Sequence, residues 1–310
     1  MKNTSFIIVI LLFIILTVGT QAPRAFPTEP FTINVPKGTS VHDLAIELKE
    51  KKVIKSKILF KANVMILSMN KGILAGDYRF NYQQGVISTA HRMVKGKQGQ
   101  EKVRVVIPEG TNVSDMAYIY LKNLSDFNAA RFVSLAKKYE GYLYPDTYYF
   151  LENARPEEVI RTMRDNFNKK LASIENELKA FGKPLEEIVT MASLVEKETY
   201  ADENRKIVAG ILWKRIADEM PLQVDAPFYY ITGKRGGFTL DDLKIDSPYN
   251  TYLNKGLPAG PISNPSIATI LDTIKPKSTP YYYYLTGRDG KMRYAESFDG
   301  HIANRNMYLR

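Results

Sequence analysis

The chain has 310 residues, 45% of them hydrophobic, and 43 Lys and Arg against 33 Asp and Glu, for a net charge of +10. That length supports two domains and a sizeable core. Cysteine is absent and the histidines are only His42, His91 and His301, which excludes disulfides, thiol catalysis and thiolate metal sites; no metal or organic cofactor is expected.

Met1-Lys2-Asn3 precedes an uncharged stretch from Thr4 to Thr20 that is strongly apolar from Phe6 through Val18. A membrane-spanning helix takes about 20 apolar residues and roughly 17 at the least. Residues 5–21 are therefore expected as a single-pass transmembrane anchor behind a cytoplasmic tail of residues 1–4, with Lys2 inside. The other reading is a secretory signal peptide cut near Ala22. Thr20-Gln21-Ala22 followed by Pro23 fits a cleavage site poorly, which favours the anchor. Both readings export the remainder of the chain and remove nucleic acid as a partner for the basic surplus. The basic residues are spread along the chain, as on a generally solvated surface. Residues 22–30 carry three prolines and are expected as an extended linker.

An internal echo follows. Val35-Pro36-Lys37-Gly38-Thr39-Ser40-Val41-His42-Asp43-Leu44-Ala45 matches Ile107-Pro108-Glu109-Gly110-Thr111-Asn112-Val113-Ser114-Asp115-Met116-Ala117 at six of eleven positions. Each copy predicts a strand, a Pro-x-Gly turn, an N-cap at Ser40 or Asn112, and a helix whose first turn holds Asp43 or Asp115. The strands are expected at Phe31–Val35 and Val103–Ile107. Between the copies lie an apolar helix around Ile58 to Met69 and a short strand at Ala75–Phe80.

Beyond Asn123 the pattern is helical and aromatic. The tyrosines of Tyr142-Leu143-Tyr144-Pro145-Asp146-Thr147-Tyr148-Tyr149-Phe150 suit either stacking on sugar rings or packing a core. A long amphipathic helix is expected from Glu157 to Phe181. After Pro184, Leu185, Ile188, Ala192, Val195 and Thr199 recur at three- and four-residue steps, predicting a helix with one apolar stripe. With Ile188 at zero and about 100° per residue, Lys197 falls near 180°, facing water, Glu196 near 80° and Glu198 near 280°. The two glutamates flank the stripe on opposite sides, so only one enters any given cleft. Desolvation at the stripe's edge would raise a carboxyl pKa and let it carry a proton near neutrality. Periodicity leaves the two level. A further helix is expected from Ala201 to Met220, with Ile207, Ile211, Leu212 and Ile216 inward and Arg205, Lys214 and Arg215 outward. From Pro221 to Pro280 periodicity fades into functional loops, and Gln223, Asp225, Tyr249 and Asn250 are expected around a cleft. A stiff loop, Gly256 to Pro265, holds Asn264. A hairpin at Tyr281–Leu285 and Met292–Tyr294 and a short C-terminal helix end the chain.

Glu196-Lys197-Glu198, Gln223-Val224-Asp225, Pro248-Tyr249-Asn250-Thr251-Tyr252 and Gly256-Leu257-Pro258-Ala259-Gly260-Pro261-Ile262-Ser263-Asn264-Pro265, in that order, resemble the YceG-like endolytic transglycosylases, the family named for MltG. The resemblance covers essentially the whole chain. It implies an α+β fold: an N-terminal membrane helix, a small LysM-like α/β module at residues 31–100, a second strand-helix subdomain at 101–150, and at 151–310 a mostly helical catalytic domain with a loop-rich cleft and a small β hairpin. The LysM pattern is loose, and plain α+β spacers are the alternative.

The resemblance further implies a lytic transglycosylase that cuts the β-1,4 bond between N-acetylmuramic acid and N-acetylglucosamine within peptidoglycan strands. Such cleavage leaves 1,6-anhydro ends and would terminate nascent strand elongation. One carboxyl serves as acid and then base: Glu198, with Glu196 as second choice. Gln223, Asp225, Tyr249, Asn250 and Asn264 would bind substrate. Expected partners are peptidoglycan glycan strands, membrane peptidoglycan synthases, and the cell inner (cytoplasmic) membrane, with the catalytic domain on its extracytoplasmic side. The chain departs from the family where Asp225-Ala226-Pro227 replaces Asp-Pro-Thr, and at Met292 and Ile302. The alternatives are a hydrolysing muramidase using Glu198 with Asp225, and a non-catalytic glycan-binding scaffold.

Overall fold

Every second residue of Phe31–Val35 turns inward: Ile33 and Val35 are buried while Thr32 and Asn34 are exposed, the alternation of a half-covered strand. This strand, β1, and its partner β2 (Gly76–Phe80) belong to a computed structural model of the chain that describes residues 21–23, 26, 27, 29–69, 72–99, 102–125, 127–199, 201–234 and 239–309. Apart from Gln21, the expected anchor at 5–21 lies outside them. Among the described residues no helix is long and apolar enough to cross a membrane.

Two compact units divide the chain, and the fold is mixed α and β. The first comprises the described residues of Met1–Val105 with Tyr120–Asn128 and Tyr149–Pro156. There β1 and β2 pair antiparallel with Ile33 opposite Tyr78. Between them in sequence run α1 (Val41–Glu50) and α2 (Lys57–Ser68), and α3 (Val86–Lys95) follows. Ser40 caps α1 as expected, accepting from the Asp43 N–H at 3.0 Å, and Ser56 caps α2 by accepting from Leu59 N–H. Ile33, Leu44, Leu48, Phe60, Tyr78 and Met93 lie in one core, each worth about 1.5–3 kcal/mol of transfer free energy for the aliphatic and phenyl side chains. The Tyr78 hydroxyl is not wasted in that core: it donates to Leu74 O at 2.6 Å.

The second unit comprises Val106–Ile119, Ala129–Tyr148 and Glu157–Arg310. Strand β3 (Lys102–Val106) neighbours β4 (Thr147–Leu151) in a two-stranded sheet that belongs mostly to the first unit. Asn112 caps α4 (Val113–Asn123), its Oδ1 accepting from Asp115 N–H at 2.8 Å. After α5 (Ala129–Ala136), the single long helix expected from Glu157 to Phe181 is two, α6 (Pro156–Ala172) and α7 (Glu175–Phe181). The break falls where the Ser173 hydroxyl donates back to Lys170 O, a local bond that competes with helix continuation, and where Ile174 turns into the core.

Helix α8 (Leu185–Glu198) is the axis of this unit. One apolar stripe was expected, yet every residue from Ile188 through Glu196 is buried. The reason is that two cores flank it. Met191, Leu194 and Val195 pack with Val208, Leu212, Val224 and Ile262 on one side. Ile188, Val189 and Ala192 pack with Phe167, Ile270 and Ile274 on the other. These partners come largely from α9 (Asp202–Ala217) and α11 (Ile267–Ile274), so the 221–280 stretch expected as loops contains α11 as well as α10 (Ala226–Thr232). The hairpin is present as β5 (Tyr283–Thr286) and β6 (Met292–Ala295), with Tyr284 opposite Tyr294, and α12 (Phe298–Tyr308) follows.

Arg205 and Arg215, expected outward on α9, are buried instead. Arg205 pairs with Asp272 at 2.7 Å. Arg215 donates to Leu222 O at 2.6 Å and Tyr282 O at 2.8 Å. The guanidinium's fixed fork of donors is what makes such burial tolerable, because these N–H groups meet oxygens.

Candidate active site

Where α8 ends, its two glutamates part company as the helical geometry requires. Glu196 turns into protein. Its Oε2 accepts from Ser266 N–H at 2.8 Å and from the Ser266 hydroxyl at 3.1 Å, and the residue is 3% exposed. Ser266 also caps α11 by accepting from Thr269 N–H. Glu109 stands close enough that Glu196's charge helps burial push its carboxyl pKa up, while Arg205 opposes the rise. Lys197 is exposed as expected, although its ammonium reaches Gly110 O at 3.3 Å.

Glu198 instead forms part of the wall of a cavity of about 540 Å³. It is partly exposed there, yet protein encloses the carboxyl closely enough that desolvation is the largest influence on its proton affinity. The charge of Asp225 adds to the rise, a hydrogen bond from Tyr284 opposes it, and the pKa is pushed up to about 7. Near neutrality the group is thus divided between acid and base, the condition for giving a proton and taking one back. Tyr284's own pKa lies well above the ordinary tyrosine range, through burial first and then Glu198's charge, so the phenol stays a donor.

Gln223, Val224 and Asp225 pass along the same cavity. Thr251 pins them: its hydroxyl accepts from Val224 N–H at 3.1 Å and donates to Val224 O at 3.0 Å, while Gln223 N–H donates to Thr251 O. Gln223 is left-handed, with φ 49°, a conformation that costs a non-glycine residue on the order of 1 kcal/mol and that tends to occur where a side chain must be aimed. The Asp225 carboxylate accepts from the Tyr252 hydroxyl at 2.6 Å. Burial raises the Asp225 pKa and that bond opposes the rise.

The other expected site residues are placed differently. Asn250 is fully buried and organises its own loop, donating to Leu243 O and Ile245 O and accepting from Tyr252 N–H. Through that last bond it sets the backbone that carries Tyr252. Tyr249 packs its ring 5.0 Å from that of Tyr230. Asn264 is fully buried in a separate knot: it donates to Thr111 O and to Glu140, and accepts from Leu143 N–H at 2.8 Å. Glu140 in turn accepts from Val113 N–H, at the start of α4. Among the described residues, Tyr249, Asn250 and Asn264 are outside the wall that holds Glu198.

Several wall residues carried no such expectation. Arg215 lies there, with its guanidinium 5.1 Å from the centre of the Tyr283 ring. Tyr252, Tyr283 and Tyr284 give the cavity its aromatic surface, whereas Tyr144 and Tyr148, candidates for sugar stacking, are buried in protein. Helix α12 supplies Phe298, His301 and Arg305.

The YceG-like family profile matches residues 33–307. The chain is 28% identical over 305 residues to the endolytic murein transglycosylase of Bacillus subtilis strain 168, covering 89% of this chain and 84% of that protein. It is 29% identical over 316 residues to the endolytic murein transglycosylase of Streptococcus pneumoniae strain D39, covering 88% of this chain and 57% of that longer protein. The crystal structure of a YceG-like protein from Listeria monocytogenes superposes with a TM-score of 0.61 at 28% identity, covering 89% of this chain and 99% of that one. The chain belongs to the YceG-like family.

Proposed function

We propose that Glu198 is the single acid and base of an endolytic murein transglycosylase. The family match and the names of the relatives support the activity. The observation that carries the residue assignment is a carboxyl with a pKa of about 7 on the wall of a cavity lined with tyrosines and polar groups. In this reaction a protonated Glu198 gives its proton to the glycosidic oxygen between N-acetylmuramic acid and N-acetylglucosamine as that bond breaks. The resulting carboxylate takes a proton from the muramoyl C6 hydroxyl, whose oxygen closes on C1 to form the 1,6-anhydro ring. Water is not consumed, so no second carboxylate is needed to activate it, in contrast to the usual hydrolase pair.

Asp225 then acts on the proton of Glu198 and need not touch water. Gln223, aimed from a strained backbone, and Arg215 are placed to meet sugar hydroxyls and N-acetyl oxygens, while Tyr283 and Tyr252 offer ring faces to the pyranoses. Asn250 acts through the loop that carries Tyr252. The β1–α1–α2–β2 unit is read as a LysM-like glycan-binding module, residues 5–21 as an anchor in the cytoplasmic membrane with both units outside, and membrane peptidoglycan synthases as neighbours.

Purified sacculi incubated with the wild-type chain should release muropeptides with 1,6-anhydro ends by mass spectrometry, and Glu198→Gln should not. Reducing ends in place of anhydro ends would replace this reading with a hydrolase using Glu198 and Asp225. Undiminished release by Glu198→Gln would remove Glu198 from the chemistry.

A further inference from the structure

Helix α2 is apolar on two faces. Phe60 and Val64 are buried in the core of the first unit. Ile58, Met65, Ile66 and, just past the helix end, Met69 are 75%, 60%, 73% and 85% exposed. At about 100° per residue, Met65 and Ile66 fall within about 80° of Ile58, and Phe60 and Val64 at about 120° or more from it. The exposed side chains therefore form one stripe turned away from the core. A helix on a soluble surface puts polar residues there, and a contiguous exposed apolar patch marks a place where something binds.

Charge and tethering indicate what covers it. Lys49, Lys51, Lys52, Lys55, Lys57 and Lys61 stand against Glu50 alone between residues 49 and 61. Lys57 and Lys61 lie along one border of the stripe by the same helical count. Lys51 also holds Glu47 at 2.8 Å. Apolar residues bordered by lysine are the composition of a helix that lies in a bilayer interface. A second copy would bring like charges together, and a glycan would meet few hydrogen-bonding groups on Ile58, Met65 and Ile66. The stretch from Thr4 to Thr20 is uncharged and largely apolar, and the nine residues 22–30 that lead from it to β1 span at most about 30 Å at about 3.3–3.6 Å per residue. A bilayer entered by that segment is within reach of α2.

We propose that the outer face of α2 docks on an anionic bilayer surface, with Ile58, Met65 and Ile66 at the boundary of headgroups and acyl chains and the neighbouring lysines over the headgroups. This rests on the reading of residues 5–21 as an anchor. The contact would hold the first unit flat against the membrane instead of leaving it to swing on its linker.

The absence of cysteine allows a direct test. The full chain carrying Ile66→Cys, labelled with an environment-sensitive fluorophore, is mixed with vesicles of phosphatidylcholine with and without phosphatidylglycerol that contain nitroxide lipids. Lys37→Cys, in the exposed turn after β1, is the control, and thermal melts establish that each variant folds. Position 66 should be quenched severalfold more than position 37, more by a nitroxide near the headgroup than by one deep in the chains, and more with phosphatidylglycerol present. Vesicle flotation of the Ile58→Asp/Met65→Asp/Ile66→Asp variant separates the two readings. If it floats, the anchor stands; if it stays behind while the wild type floats, α2 alone holds the chain and the anchor reading fails. Flotation of the wild type with equal quenching at 66 and 37 overturns the docking proposal and spares the anchor. No flotation of the wild type overturns both. Energy transfer between labels on separate chains at position 66, independent of lipid, would assign the face to a second copy and also overturn docking.

Discussion

Glu196 and Glu198 sit two residues apart on one helix, and the protein treats them in opposite ways. Around Glu196 are groups that stabilise an anion: the Ser266 N–H, the Ser266 hydroxyl and, nearby, the Arg205 guanidinium. Around Glu198 are an enclosing wall and a second carboxylate, against which a single tyrosine hydroxyl works. The first setting secures a loop to a helix end, and the second keeps a proton available. What separates the roles is therefore donor supply, since both carboxyls have left bulk water.

Neutralising the two glutamates in turn separates their roles. Glu198→Gln should lower anhydro-muropeptide release by about 10²- to 10⁴-fold, the usual worth of a general acid or base, with the fold intact. A stability measurement carries the sign of its pKa. Glu198 and Glu140 both hold folded pKa values of about 7 against 4.5. Below about pH 4.5 each is protonated in both states and costs nothing. As pH rises through 4.5 to 7 the unfolded chain gives up protons that the folded chain retains, so stability falls, and the loss is complete above about pH 7. Glu198→Gln removes its share, so the variant should melt above wild type at about pH 8 and level with it at about pH 4.

Asp225→Asn tests the second carboxylate. It takes away an anion that raises the pKa of Glu198, while the larger desolvation remains. The alkaline limb of the activity profile should therefore move to lower pH, with the reaction still yielding anhydro ends. An unchanged limb would show that the wall alone sets the proton affinity.

Glu196→Ala should reverse the pattern of Glu198→Gln. It strands the Ser266 N–H and leaves Arg205 less balanced, which should lower stability by about 1–3 kcal/mol, read by urea denaturation, with activity per folded molecule close to wild type. The smallest effect concerns the two echo turns. Gly38 (φ 90°) has nothing within 4 Å of an added Cβ, whereas at Gly110 (φ 69°) a Cβ would meet Glu196 Cγ at 3.2 Å and Lys197 Cδ at 3.3 Å. Both Ala variants carry the backbone cost of about 1–2 kcal/mol for a left-handed residue. Gly110→Ala should lose a few tenths more, and only it should disturb the glutamate end of α8.

Local chemistry made much of this legible. Ser40 and Asn112 cap their helices because the Pro-x-Gly turn fixes where each helix begins. The opposite facing of Glu196 and Glu198 follows from helical geometry, and the ordered motifs from Glu196 to Pro265 pointed to the family. What stayed hidden depended on distant partners. Arg205 and Arg215 read as outward because nothing near them in sequence announces Asp272 or the Leu222 carbonyl. Asn250 and Asn264 read as ligands because a buried amide that braces a loop has the same local pattern as one that meets a sugar. Tyr284 was missed because its importance comes from Glu198, which reaches it only across the folded unit.

The far wall of the cavity is built by α12, whose Phe298, His301 and Arg305 follow in sequence the strand and loop residues they face. On a ribosome, Glu198 emerges well before that wall does. Until α12 packs, the cavity beside Glu198 lacks Phe298, His301 and Arg305 and stands open on that side. A proteolytic nick ahead of α12 should therefore leave Glu198 beside an incomplete cavity and lower the release of anhydro-muropeptides.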